Sequence, residues 1–308
     1  MRVGLCYPTP GPDIYLDEPF LAMVREHLPV DLIRINLDYR NPPAGEMVLG
    51  IRNHGFEALP VLDLDYDELA SWPQDDKGFG EAAWPYIERC VSIANLLELA
   101  EVEILNEPHV LHRLSPDRYA KLLNAVGHEF RVCGLPTRII AAADMLKPHR
   151  RGPKKDDWWS KARAGLQSHL YDAVAVHPYR NPGHPDDAKP FGSRAKEFTW
   201  IREQAGGRPI YVTEVGWNLN ETSGPAAAAY LTRELDLCAI QPGVEVVCIY
   251  AHVGVPGQQG GDWGLFDGGD WTPRPAVAAI RDWLERRTGQ PPNGRMDAGG
   301  FVGGSRED

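Results

Sequence analysis

Two glutamates in this sequence stand directly after apolar runs, where a carboxylate needs a reason to be. The segments are Ile104-Leu105-Asn106-Glu107-Pro108-His109 and Tyr211-Val212-Thr213-Glu214-Val215-Gly216-Trp217. Paired carboxylates in unlike surroundings divide the proton work, one staying neutral to donate and the other ionised to attack or accept. Cleavage of a glycosidic bond requires that division. At about 5 Å apart the ionised group can attack the anomeric carbon, whereas about 6.5–9.5 Å leaves room for a water and inverts the configuration. The plainer alternative is that each glutamate pairs with a scaffold Arg or Lys, which suits one isolated glutamate better than two in matching positions.

Both glutamates belong to a pattern that spans the chain. Short Val- and Ile-rich runs at Arg2–Tyr7, Val30–Leu37, Ala58–Leu64, Val102–Asn106, Arg138–Ala143, Ala173–His177, Ile210–Glu214 and Val244–Tyr250 predict eight strands. Helical periodicity follows at Glu18–Leu28, Glu46–Asn53, Trp84–Leu99, Trp158–His169, Ser193–Gln204, Pro225–Ile240 and Pro275–Arg287. A further helix is bounded by Ser115-Pro116-Asp117, a hydroxyl cap before a first-turn proline, and by Cys133-Gly134. Strictly alternating strands and helices imply parallel pairing through crossovers. Continuous apolar strands such as Ala173-Val174-Ala175-Val176 imply a sheet covered on both faces. The first strand runs into Pro8-Thr9-Pro10-Gly11-Pro12 rather than a glycine-rich phosphate loop, so a single (β/α)8 TIM barrel is favoured over a doubly wound sheet. The expected catalytic domain is 1–288, with a short flexible Gly-rich tail at 289–308. In such a barrel the ends of strands four and seven face each other across the mouth.

With that placement, Asn106-Glu107-Pro108 after strand four and Thr213-Glu214-Val215-Gly216-Trp217 after strand seven resemble clan A of the glycoside hydrolases, the family 5 and family 39 type. The resemblance extends from Met1 to about Arg287. It implies a retaining enzyme acting on a β-linked glycan or glycoside, with Glu107 as acid/base and Glu214 as nucleophile. It further implies that Arg34 of Ile33-Arg34-Ile35-Asn36 keeps the nucleophile ionised and that Asn106 binds the sugar 2-hydroxyl. From Val176-His177-Pro178-Tyr179, it gives His177 to substrate or the acid/base network and Tyr179 to the nucleophile.

The sequence departs from the clan at the sugar-binding floor. Many members end strand eight with tryptophan; here Cys248-Ile249-Tyr250-Ala251-His252 leaves Tyr250 or His252 for that place, with Trp263 and Trp217 as further candidates. Strand three ends Leu62-Asp63-Leu64-Asp65-Tyr66 without a histidine pair, so Asp63 or Asp65 is expected to bind hydroxyls or to cap the next segment. Among the nine tryptophans, Trp72 and Trp271 fall near βα loops, Trp84, Trp200 and Trp283 are expected in the core, and Trp158-Trp159 open a helix.

Composition narrows the alternatives. Lys+Arg 32 against Asp+Glu 43 gives a net charge of −11 with no basic stripe, which argues against nucleic acid and against a strongly anionic glycan. No apolar run is long enough for a membrane span, and the start lacks a signal-peptide pattern, so the chain as written is expected in the cytoplasm. Five scattered cysteines, Cys6, Cys90, Cys133, Cys238 and Cys248, are expected as buried free thiols without zinc spacing. No cofactor or metal is called for; the expected partner is an oligosaccharide, a polysaccharide or a small glycoside. Two other readings remain open: a barrel that binds sugar without cleaving it, and a metal-dependent barrel hydrolase using His177, His252, Asp63 and Asp144.

Overall fold

A computed structural model describes residues 1–7, 18–38, 44–73, 75–142, 158–180, 182–187, 189, 191–250, 253–254, 262–267 and 271–289. Eight parallel strands close on themselves: β1 Arg2–Tyr7, β2 Leu32–Asp38, β3 Glu57–Asp63, β4 Glu101–Ile104, β5 Arg138–Ala142, β6 Ala173–Val176, β7 Ile210–Val215 and β8 Val244–Ile249. Register Arg2↔Val246 between β1 and β8 completes the ring. The outer layer comprises α1 Glu18–His27, α2 Ala44–Asn53, α3 Tyr66–Ser71, α4 Asp76–Leu96, α5 Pro116–Val132, α6 Trp158–Gly165, α7 Arg194–Gln204, α8 Gly224–Ala239 and α9 Pro275–Thr288. A two-residue pairing joins β9 Val253–Gly254 to β10 Phe266–Asp267 beyond the mouth.

Strand alternation separates two cores. Cys6, Leu32, Leu59, Ile140, Ala173, Ala175, Tyr211, Val246 and Cys248 pack together inside the ring. Their neighbours Ile33, Ile139, Val174, Val212, Val247 and Ile249 turn outward to the helices and join the larger cluster. Charged side chains complete the interior. At the strand N-terminal end, Glu101 accepts from Arg2 Nη2 at 2.6 Å and from the Tyr211 hydroxyl at 2.7 Å. One turn higher, Arg34 and Glu103 meet, and they lead into the mouth.

The helix ends follow from sequence. Ser115 Oγ accepts from Arg118 N at 3.4 Å, and Gly134 closes α5 with φ +67°. Gly289 ends α9 in the same left-handed way, and the expected tail from position 290 lies outside the described residues. Several expectations are corrected. The six-residue α3 was not anticipated, and α4 begins well before Trp84, which is 45% exposed rather than in the core. Cys133 is exposed, since it caps a helix end; the other four thiols are buried and all five are free. Asp65 takes its capping alternative, accepting from Asp67 N and Glu68 N at the start of α3.

Candidate active site

β4 ends at Ile104, so Asn106 and Glu107 stand in the loop rather than on the strand. The chain turns sharply there: Leu105 and Glu107 both hold positive φ, +62° and +44°, a conformation that costs a side chain about 1 kcal/mol or more each. Asp63 at the end of β3 holds this turn. Its Oδ1 accepts the Asn106 backbone N–H at 3.2 Å and faces His112 Nε2 at 2.8 Å. Across the mouth, β7 delivers Glu214. Gly216 lets β7 pass close under β8, because a Cβ there would fall 2.1 Å from the Tyr250 carbonyl oxygen.

The two glutamates meet at this level. A carboxylate oxygen of each and a ring nitrogen of His177 all lie within 4.8 Å of one another. Glu214 is buried and fully engaged: Arg34 Nη1 donates to Oε1 at 2.8 Å and the Tyr179 hydroxyl donates to Oε2 at 2.7 Å. Burial works against its ionised form, but the His177 and Arg34 charges and the Tyr179 and Arg34 hydrogen bonds outweigh it and hold the carboxyl below its ordinary value. Tyr179 is pushed well above the usual phenol range by burial and by the Glu214 charge, so it stays a donor. Arg34 spans the site like a bracket: Nε donates to Glu103 Oε2 at 2.8 Å and Nη2 to Asn106 Oδ1 at 3.0 Å.

Glu107 is held from one side by His177, whose Nδ1 lies 2.8 Å from Oε1, while Nε2 lies 3.1 Å from Thr213 Oγ1. Burial lowers the imidazole, but Glu214 and the bonded Glu107 overcome both that and the Arg34 charge, so its net shift is upward. A small pocket bounded by Glu103, Glu107, Ala142, Ala175 and His177 lies beside the pair. Glu107, His177 and Glu214 are donor types that suit a metal ion. Here Arg34 and Tyr179 already take both oxygens of Glu214, and both imidazole nitrogens face protein oxygens, so the three form a self-satisfied hydrogen-bonded cluster. Asp63, offered for the metal reading, serves the loop instead, and His252 and Asp144 lie outside the described residues.

No family model and no curated protein matches this sequence. Solved structures do. The fold is that of glycoside hydrolases of families 39 and 5. The chain superposes with TM-score 0.70 on a family 39 glycoside hydrolase from the gut symbiont Bacteroides cellulosilyticus WH2, at 20% identity over 92% of this chain and 63% of that one. The exo-β-1,4-mannosidase Op5Man5 from Opitutaceae bacterium strain TAV5 gives 0.65 at 14% identity, over 94% of this chain and 60% of that one. A GH5_18 protein of Streptomyces cattleya in complex with Manβ1-4GlcNAc gives 0.64 at 16% identity, over 94% and 82%. This chain therefore spans about three-fifths of the length of the first two.

The barrel thus brings together Arg34, Asn106, Glu107, His177, Tyr179 and Glu214. The aromatic candidates divide. Tyr250 and Trp263 stand edge-on to Tyr179, with ring centroids 6.1 and 5.5 Å away, and form one wall of the mouth. Trp217 instead turns behind the strand. It is 2% exposed, donates from Nε1 to Gly183 O at 3.0 Å and packs on Tyr230, so it lines a small apolar pocket with Tyr250 and Trp263 rather than facing the carboxylates. Trp72 is buried against Phe79, and Trp271 packs on Phe20. Trp158 and Trp159 are core residues whose indoles donate to Leu114 O and Gln204 O. Sequence reasoning missed Glu103, Thr213 and His112. The signal for Glu103 was present, because Glu101-Val102-Glu103-Ile104 alternates charge with apolar residues inside a strand.

Proposed function

We propose that the protein is a retaining glycoside hydrolase acting on a neutral β-linked glycan or glycoside. The observation that carries this reading is the pair of opposed carboxylates within 4.8 Å, close to the roughly 5–5.5 Å spacing of retaining sites, with one of them held ionised. Glu214 Oε attacks the anomeric carbon as the glycosidic C–O bond breaks, and the proton of Glu107 passes to the departing oxygen. A glycosyl ester on Glu214 results. Water then attacks the same carbon, gives its proton to Glu107 and releases the Glu214 carboxylate. Arg34 fixes Asn106 by its amide oxygen, which leaves the amide nitrogen as donor to the sugar 2-hydroxyl. Tyr250 and Trp263 supply aromatic surface for the ring.

The sugar class draws support from the neighbours, one a β-1,4-mannosidase, one holding Manβ1-4GlcNAc and one, XacCel5A, holding cellopentaose. The test is a screen of aryl β-glycosides and oligosaccharides, followed by a 2-deoxy-2-fluoro glycoside of the best substrate. Covalent labelling at Glu214 is expected. In Glu214→Ala turnover stops, and added azide restores activity by forming the α-glycosyl azide. Full activity in Glu214→Ala, or oligosaccharide binding without labelling, overturns the reading. Activity insensitive to chelator is expected, since the chemistry runs on the two carboxylates.

A further inference from the structure

Beneath the carboxylate pair runs a chain of polar groups that the reaction scheme does not use. His177 Nε2 lies 3.1 Å from Thr213 Oγ1, and Thr213 Oγ1 in turn lies 3.5 Å from Glu103 Oε1. Glu103 is completely buried, with Oε2 occupied by Arg34 Nε at 2.8 Å. A buried carboxylate oxygen demands a donor, and the Thr213 hydroxyl is in place to supply it to Oε1.

A threonine hydroxyl has one proton to give. If it goes to Glu103, Oγ1 can only accept from the imidazole, so Nε2 must carry a hydrogen. Nδ1 is then the one ring atom whose proton comes and goes, and it lies 2.8 Å from Glu107 Oε1. We infer that Thr213 and Glu103 are positioning residues that fix the imidazole of His177 with its hydrogen on Nε2, so that Nδ1 and Glu107 Oε1 share the proton used in glycoside cleavage. This rests on the reading of Glu107 as acid/base.

The consequence is chemical. With one proton in the pair, Nδ1 and Oε1 share it across the 2.8 Å contact. When that proton leaves with the departing oxygen, a lone pair and a carboxylate face each other at hydrogen-bond distance. That repulsion makes the pair a better base for the proton of the attacking water, which restores the starting state. If a second proton adds, it goes to Nδ1, and the Nε2–Thr213–Glu103 chain need not reorient. The opposite tautomer, with hydrogen on Nδ1 donating to Glu107, would instead stabilise the ionised acid/base, so that its proton is lost at lower pH.

The charges facing His177 are Glu107 and Glu103 from β4 and its loop, Glu214 from β7 and Arg34 from β2; on its own segment Tyr179 stands edge-on at 6.3 Å, and β5 offers Ala142 to the adjoining pocket. Removing the Thr213 hydroxyl changes none of these charges. Thr213→Val keeps the shape of the side chain and frees the ring to adopt the other tautomer.

Nitrogen-15 NMR of the ring, with the His177 signals assigned by their loss in His177→Asn, reads the tautomer without any substrate. In the native protein neutral His177 is expected to carry hydrogen on Nε2. In Thr213→Val the alkaline limb of kcat/KM should move about one unit toward acid, the acidic limb should stay, and Thr213→Ser should restore the native profile. Fluoroglycoside labelling of Glu214 in Thr213→Val confirms that the variant is folded and its nucleophile competent. Neutral His177 with hydrogen on Nδ1 in the native protein, or an unmoved alkaline limb in a labelled Thr213→Val, overturns the inference. Failure of labelling in the native protein overturns the glycosidase reading instead and leaves the tautomer measurement intact.

Discussion

Among the described residues, two clusters in which arginines and glutamates are buried together differ in their charge balance. In the helix layer, Arg180, Glu197, Arg194 and Glu234 form a chain in which each guanidinium pairs with a glutamate and Arg194 bridges both, every side chain 5% exposed or less. Two positive and two negative charges cancel there. Burial still pushes the Glu234 carboxyl above its ordinary value despite both arginines, so at Glu234 desolvation outweighs the pairing. In the barrel, one guanidinium, Arg34, serves two glutamates and an asparagine, and a third glutamate is joined through His177. That cluster holds more carboxylates than cations, so its proton count is adjustable. Balanced charge in a sealed place suits structure; unbalanced charge beneath an open mouth suits the proton transfers that the proposed reaction needs.

The contrast predicts that removing one carboxylate from each cluster has opposite readouts. Glu214→Gln should lower kcat by about 10⁴-fold or more, as loss of a covalent nucleophile does elsewhere, while the unfolding free energy falls by no more than about 2 kcal/mol, because Arg34 keeps Glu103. Glu197→Ala should do the reverse. It leaves two buried guanidiniums short of a partner, and unfolding in urea should show a loss of about 3–5 kcal/mol, with kcat per fluoroglycoside-labelled site within a few-fold of native. A large kcat loss in folded Glu197→Ala would show that the sealed cluster, which begins one residue after Tyr179, acts on the site.

A smaller effect tests the electrostatics. The folded Glu214 carboxyl lies below its ordinary value of 4.5. Its ionised form therefore contributes stability that is full above about 4.5 and is lost as pH falls through the lower folded value. Arg34→Met removes the guanidinium and lets burial prevail, so the acidic limb of kcat/KM should rise by about one to two units. Arg34→Lys, which keeps a charge without the fork, should move it less. An acidic limb unchanged in both variants would mean that Tyr179 and His177 alone keep Glu214 ionised.

The barrel was legible because its signal is repeated. Eight apolar runs place the strands to within a residue or two at most ends, since each run must be buried on both faces. The catalytic candidates were legible because a carboxylate after such a run is costly unless used. What was not legible depends on direction rather than residue type. Trp217 follows the Glu214 strand closely in sequence, yet its ring is turned into the core, and an indole suits packing as well as sugar stacking. Cys133 looked apolar in sequence, but a helix-end cap leaves it in solvent. Glu103 is the reverse case: inside a strand it seemed an interruption, and the interior bracket of Arg34 gives it a place. The left-handed backbone at Leu105 and Glu107 had no sequence signal at all, because neither residue is a glycine or an asparagine.

That strained turn sets the smallest of the predicted effects. Two side-chain-bearing residues held at positive φ would relax to ordinary backbone if nothing opposed them. Asp63 opposes it, tying the Asn106 N–H and the His112 ring to one oxygen. Asp63→Ala removes both contacts and should cost about 1–3 kcal/mol of stability, the penalty of an unmet buried donor. The catalytic loss should be selective. Glu107 moves with the turn, whereas Glu214 is braced independently by Arg34 and Tyr179. Hydrolysis of a glycoside with a poor leaving group, which needs the proton of Glu107, should fall about tenfold, while an aryl glycoside with a strongly acidic phenol should be nearly unaffected in its first step. Equal losses on both substrates would place Asp63 in sugar binding rather than in holding the acid/base, and would make the two sides of the mouth less independent than their hydrogen bonds indicate.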